Sequence, residues 1–120
     1  MVIEQKKVLV GKPVVELPVA DVERAQEYYR VVFGFEIGWL TPGKEMGAVL
    51  SADTTLFFRK KEGAFEPVVQ WVFAEDIDAR YEEMQTIGAK IVEPLETKPW
   101  GIRQFTVADL DGNLFYFHAG

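Results

Sequence analysis

"VADVERAQEYYRVVFG" (19–34) reads as a helix with both ends marked. Asp21 is a good N-cap, because its short carboxylate can accept from backbone N–H groups that the first helical turn leaves unpaired. After it, Val22, Ala25, Tyr28, Tyr29, Val32 and Phe33 fall on one face at helical spacing. Gly34 ends the segment, since glycine adopts the left-handed conformation just past a helix without a Cβ clash. The stretch before it, "KPVVELPVA" (12–20), alternates and is rich in valine, so it reads as a strand. Three more strands are expected near 35–40, 46–51 and 54–60, separated by the turn-forming "TPGKE" and "ADT".

The same order then repeats. "PVVQWVFAE" (67–75) reads as a strand, and Asp76 caps "IDARYEEMQTI" (77–87), with Ile77, Tyr81, Met84 and Ile87 expected to face inward. Gly88 ends this second helix as Gly34 ends the first. "AKIVEP" (89–94), "RQFTVA" (103–108) and "LFYFH" (114–118) are the following strands, the last two joined by the turn "DLDGN" (109–113). Asp21 and Asp76 are 55 residues apart, and Gly34 and Gly88 are 54 apart. The reading is therefore an α+β fold, a single domain of two tandem βαβββ modules at about 8–61 and 66–120. Together they are expected to form a cupped mixed sheet with a cleft, the helices on its outer face.

Strand parity separates the face that meets a helix from the face left open. Val15, Leu17 and Val19 suit the helix, which turns Val14, Glu16 and Pro18 the other way. Val69, Trp71 and Phe73 hold the open-side positions of the repeated strand. In the last strand Leu114, Tyr116 and His118 share one face, and Phe115 and Phe117 the other. Two such open faces brought together would enclose an aromatic cleft with a few polar groups, the makeup of a small-molecule site.

Composition narrows the function classes. A length of 120 residues suits one domain with a modest core. The formal net charge of −6 supplies no cationic footprint for phosphates, which argues against nucleic acid and leaves an acidic surface that attracts basic molecules. The absence of cysteine removes disulfides, thiolate catalysis and thiolate metal sites. "MVIEQKKVLVGKP" has neither the long apolar core nor the cleavage site of a secretory leader, and no run approaches the roughly 20 apolar residues of a membrane span. A cytoplasmic location is the expectation.

Three segments in order, "VELPVADVERAQEYYRVVFGFE" (15–36), "WVFAEDIDARYEEMQTIGAKIVEP" (71–94) and "PWGIRQFTVADLDGNLFYF" (99–117), resemble the vicinal oxygen chelate superfamily. That superfamily includes glyoxalase I, bleomycin resistance proteins and extradiol dioxygenases. "ETKPWGIRQFTVADLDGN" (96–113) is most similar to the bleomycin resistance branch. The resemblance implies paired βαβββ modules around a cleft, commonly completed by a homodimer. It also implies where a metal would be held: on cleft-facing strand positions that here carry Val14, Val69 and Tyr116, while "TTLFFRK" (54–60) offers no His, Asp or Glu. A divalent ion needs about three converging protein ligands, so no metal and no cofactor are expected.

The remaining candidates are cleft-facing. Glu16 could hold a cationic ligand, act as a base with a raised pKa, or pair with a nearby arginine. His118 could hydrogen-bond a ligand or move a proton, or be merely structural. Trp39, Trp71, Phe73 and Trp100 could stack on a planar ligand or serve as plain core, Trp71 by its parity and Trp100 by the "PWG" resemblance. Tyr116 shares their face, and Arg103 is expected to reach the cleft, whereas Arg59, Lys60 and Lys61 read as solvated. The expected function is metal-independent binding of a hydrophobic or cationic small molecule such as an antibiotic. The alternatives are a superfamily enzyme, a lyase, isomerase or dioxygenase acting on a carbonyl or aromatic substrate, and a dimeric module for a protein partner.

Overall fold

The structure, a computed structural model, describes residues 10–52 and 54–119. The first module runs β1 (Val15–Val19), α1 (Val22–Phe33), β2 (Glu36–Leu40), β3 (Met46–Ser51) and β4 (Thr54–Lys60). The second runs β5 (Val69–Phe73), α2 (Ile77–Ile87), β6 (Lys90–Thr97), β7 (Arg103–Ala108) and β8 (Leu114–His118). Both helices coincide with the spans expected from sequence, and the caps explain why. The Asp21 carboxylate accepts from the Arg24 N–H at 3.0 Å and that of Asp76 from the Ala79 N–H at 3.1 Å. Gly34 and Gly88 take φ of 75° and 83°, the left-handed stop that only glycine adopts without strain.

Each module makes its own four-stranded mixed sheet, ordered β1-β4-β3-β2 in the first and β5-β8-β7-β6 in the second. The first strand of each lies parallel to the last, and the other pairs are antiparallel. The fold is thus α+β with two tandem modules, as the repeat implies. Helix α1 lays Val22, Ala25 and Tyr29 on Leu17, Val19, Val49 and Phe58. The Gln26 amide beneath it donates to the carbonyls of Trp39 and Ala48, at 3.0 and 3.1 Å. A Cβ at Gly47 would stand 2.7 Å from that amide nitrogen, so the close helix–sheet approach requires glycine there.

The helix-bearing faces of the two sheets meet within the chain. The Tyr29 ring lies 4.7 Å from Phe58 of its own sheet and 5.9 Å from Phe115 of the other, and Phe33 lies 5.5 Å from Phe115. The "DLDGN" turn fixes this joint. Tyr29 donates its hydroxyl to Asp109 at 2.6 Å, the Asn113 amide donates to the Pro18 carbonyl at 3.0 Å, and Asp111 accepts from the Ala20 N–H at 2.9 Å. Burial and the adjacent Asp109 charge push the Tyr29 hydroxyl pKa well above its ordinary value, so it stays a donor.

Helix α2 departs from its expected pattern. It buries Ile77 and Met84, with Tyr81 partly covered against Phe105, but Ile87 is 45% exposed. The expectation that Ile87 faces inward is not met at this last turn. The Cα radius of gyration is 17.1 Å, against about 14 Å for a compact chain of this length. The excess fits two modules set side by side and joined by the Tyr29, Asp111 and Asn113 contacts.

Candidate functional site

On the open face of the first sheet, the parallel register of β1 with β4 pairs Glu16 with Phe57 and Pro18 with Arg59. Parity therefore puts Glu16, Phe57 and Arg59 on one face. Arg59 reaches Glu16 at 2.9 Å, and its guanidinium holds the Glu16 carboxyl below the ordinary carboxylate range. Of the roles open to Glu16, the pairing with arginine is the one formed, and the pKa moves opposite to the rise a general base would need. Arg59 keeps 43% of its side chain exposed, as a solvated residue would, while partnering Glu16. Beside them the Trp39 and Phe57 rings meet edge to face at 5.1 Å, across a bulge in β2 that lies between Ile37 and Leu40.

The second sheet presents a different face. Its register sets Trp71 beside Tyr116, Phe73 beside His118, His118 beside Gln104 and Tyr116 beside Thr106. The Trp71 ring lies 4.7 Å from Tyr116 and 5.8 Å from His118, and Phe73 lies 6.0 Å from His118. Trp71 and Phe73 are 56% and 62% exposed. Trp100, 63% exposed, is tied to the same face by its indole N–H, which donates to the Gln104 amide oxygen at 3.3 Å. At the far edge Lys98, with a side chain only 10% exposed, contacts Glu93 at 3.2 Å and Glu96 at 2.6 Å. Thr106 donates to Glu93 at 3.1 Å, and Lys98 and Thr106 together hold the Glu93 carboxyl below its usual range. The face is an exposed aromatic floor able to stack a flat ring, with Gln104 and Thr106 buried beneath it and bonded to Trp100 and Glu93.

Of the residues singled out from sequence, Trp71, Phe73, Trp100, Tyr116 and His118 come together on this face, while Glu16 and Trp39 lie on the other sheet. Arg103 does not join them. The strand alternation puts it on the helix side, where it binds Asp78 of α2 at 2.7 Å. Its phase with Phe105 and Val107 was the available signal for that side, although the Asp78 partner itself lies 25 residues away. Gln104, Thr106 and Glu93 were missed. The polar alternation of "RQFTVA" was the available signal, because Gln104 and Thr106 are the polar members of a strand whose other face is Phe105 and Val107.

The positions a superfamily metal would use carry Val14, Val69 and Tyr116, side chains that do not fit a divalent ion. Among the described residues no group of three or more His, Cys, Asp or Glu side chains is arranged to hold one. Likewise, no described helix is long and apolar enough to cross a membrane.

This geometry has parallels among solved proteins. The chain superposes on TioX from Micromonospora sp. ML1 with a TM-score of 0.80 at 29% identity, over 92% of this chain and 98% of that one. The bleomycin-binding protein of bleomycin-producing Streptomyces verticillus, solved with copper(II)-bleomycin, gives 0.79 at 25% identity, over 95% and 99%. A superfamily member from Sphaerobacter thermophilus DSM 20745 gives 0.73 at 26% identity, over 93% and 100%. A search of curated proteins found no significant match. The family model for the Glyoxalase/Bleomycin resistance protein/Dioxygenase superfamily matches residues 12–117. Spanning almost the whole of both modules, that match establishes that the chain belongs to this superfamily.

Proposed function

We propose that the protein binds a planar, hydrophobic or cationic small molecule without a metal, and that sequestering an antibiotic is the role this serves. One observation carries the reading: Trp71, Phe73 and Trp100 are each more than half exposed on one sheet face, bordered by hydrogen-bonding groups. Large aromatics left in water at one place mark a binding surface. The side chains at the superfamily's metal positions favour a mechanism of affinity alone, in which aromatic stacking and an acidic chain of net charge −6 hold a basic ligand away from its target. The bleomycin-binding relative from Streptomyces verticillus supports the ligand class.

A homodimer completes this reading. Within one chain the two open faces do not enclose a cleft, because the helix sides meet instead. A second copy that sets the Glu16 and Trp39 face of one chain over the Trp71 and Tyr116 face of its partner would close it. Two measurements test the proposal. Titrating the protein with bleomycin and a panel of planar cations should quench tryptophan fluorescence saturably, and a panel without response would refute it. Sedimentation should give a mass of two chains; a monomer that still binds would remove the dimer from the account.

A further inference from the structure

The repeat exposes an asymmetry between the two joints of the molecule. The offset that relates Asp21 to Asp76 also relates Tyr29 to Met84. Tyr29 closes its joint, reaching Asp109 and Phe115 of the other module. Met84 has no hydroxyl with which to do the same. Nor does the first module have a turn like "DLDGN" to meet it: β3 ends at Ser51 and β4 begins at Thr54, whereas β7 and β8 are separated by Asp109–Asn113. At that second joint lies a groove of about 720 Å³, floored by Leu56, Met84 and Phe115. That volume is within the usual range for small-molecule sites. The groove reaches the β5 edge at Trp71 and Phe73 but takes in none of Glu16, Trp39, Trp100, Tyr116 or His118.

Two features at its wall go beyond missing bulk. Gln70 lines it, although its neighbours on the helix-facing row of β5 are Val68 and Val72, so an amide is offered where packing alone would select an apolar side chain. Three carboxylates stand around it with one arginine: Glu75, Asp76 and Glu83 against Arg80. Arg80 is committed to Glu83 at 2.8 Å and Asp76 caps α2, which leaves Glu75 as the charge able to meet a ligand. We infer that this joint is a second binding site, for an elongated apolar molecule with one cationic end directed at Glu75 and a body that runs past the Gln70 amide. The site shares Trp71 and Phe73 at its rim with the open-face reading, but its floor of Leu56, Met84 and Phe115 belongs to the opposite side of the sheets.

The chain has three methionines, and two are reporters. Met84 floors the groove, and Met46, on β3, lies outside it. With ¹³C-methyl methionine, decyltrimethylammonium below its micellar concentration should shift the Met84 methyl saturably and leave Met46 in place. Decyl sulfate, of equal chain length, should bind at least about tenfold more weakly, as expected for reversing one charge near a carboxylate. Ala79→Trp, which fills the groove wall, should abolish the Met84 response. Glu75→Gln, a change at an exposed position that the core does not sense, should reduce the preference for the cation severalfold, and it decides the matter if Ala79→Trp fails to fold. Absence of a saturable Met84 shift, equal shifts at Met46, or an unchanged charge preference in Glu75→Gln would overturn the assignment.

Discussion

Helix α1 buries Val22, Ala25, Gln26 and Tyr29, whereas α2, at the same place in the second module, buries only Ile77 and Met84. Their sheets differ in the same sense. The first pairs Glu16 with Arg59 and packs Trp39 on Phe57, with Trp39 still 45% exposed. The second leaves Trp71, Phe73 and Trp100 in water. The local rules are equal in both halves, since caps, helix stops and strand order repeat. What differs is how much each half spends on its own packing. Under the proposed function, the second module would supply the larger aromatic surface and the first would close over it from a partner copy.

The contrast can be broken most sharply at the joint. Asn113 is fully buried, and its side chain donates to Pro18 and Asp109 and accepts from the Val68 N–H. Asn113→Ala should destabilise the chain by about 3 kcal/mol, because it strands several buried groups, as read by urea denaturation. A loss below about 1 kcal/mol would mean that the turn does not hold the modules together. Next in size, Trp71→Ala should weaken ligand binding about tenfold while barely changing the melting temperature, as removal of one exposed stacking ring would. Trp39→Ala should do less, because that ring is less exposed than Trp71, 45% against 56%.

Smaller effects sharpen the statement that the local rules are shared. Asp21→Ala and Asp76→Ala each remove one N-cap and should cost about 1 kcal/mol apiece; a large inequality would show that one helix depends on its cap more than the repeat implies. The smallest effect is electrostatic. Arg59 lowers the Glu16 pKa from its ordinary 4.5, so the folded state favours the ionised form. The pair's stabilisation is therefore present above that ordinary value and is lost as pH falls through the lower folded one. Both groups reach solvent, which keeps the gain small. The stability difference between the native chain and Glu16→Gln should be constant at neutral pH and close in acid; a difference that grew in acid would reverse the sign of the coupling.

The local plan was legible in the sequence because its signals are local. Asp21 and Gly34 mark a helix by chemistry within a few residues, and the recurrence at Asp76 and Gly88 turns one helix into a module repeated. Alternation also assigned Trp71, Tyr116 and His118 to one face correctly, since β5 and β8 pair in register. What escaped was everything set by distant partners. Arg59 meets Glu16 only because β1 lies parallel to β4, and Tyr29 finds Asp109 across 80 residues. Arg103 was misplaced although its phase with Phe105 and Val107 marked the helix side, and Ile87 because helical spacing alone does not fix how far burial runs along a helix.

The central claim is that the aromatic face of the second sheet is where the ligand rests. The most direct measurement is a solution or crystal structure of the protein with a bound planar ligand from the fluorescence panel. The expected result is its ring stacked on Trp71 and Tyr116, with a polar edge toward Glu93 or His118. A ligand seated on the first sheet alone, with Trp71 left in solvent, would contradict it.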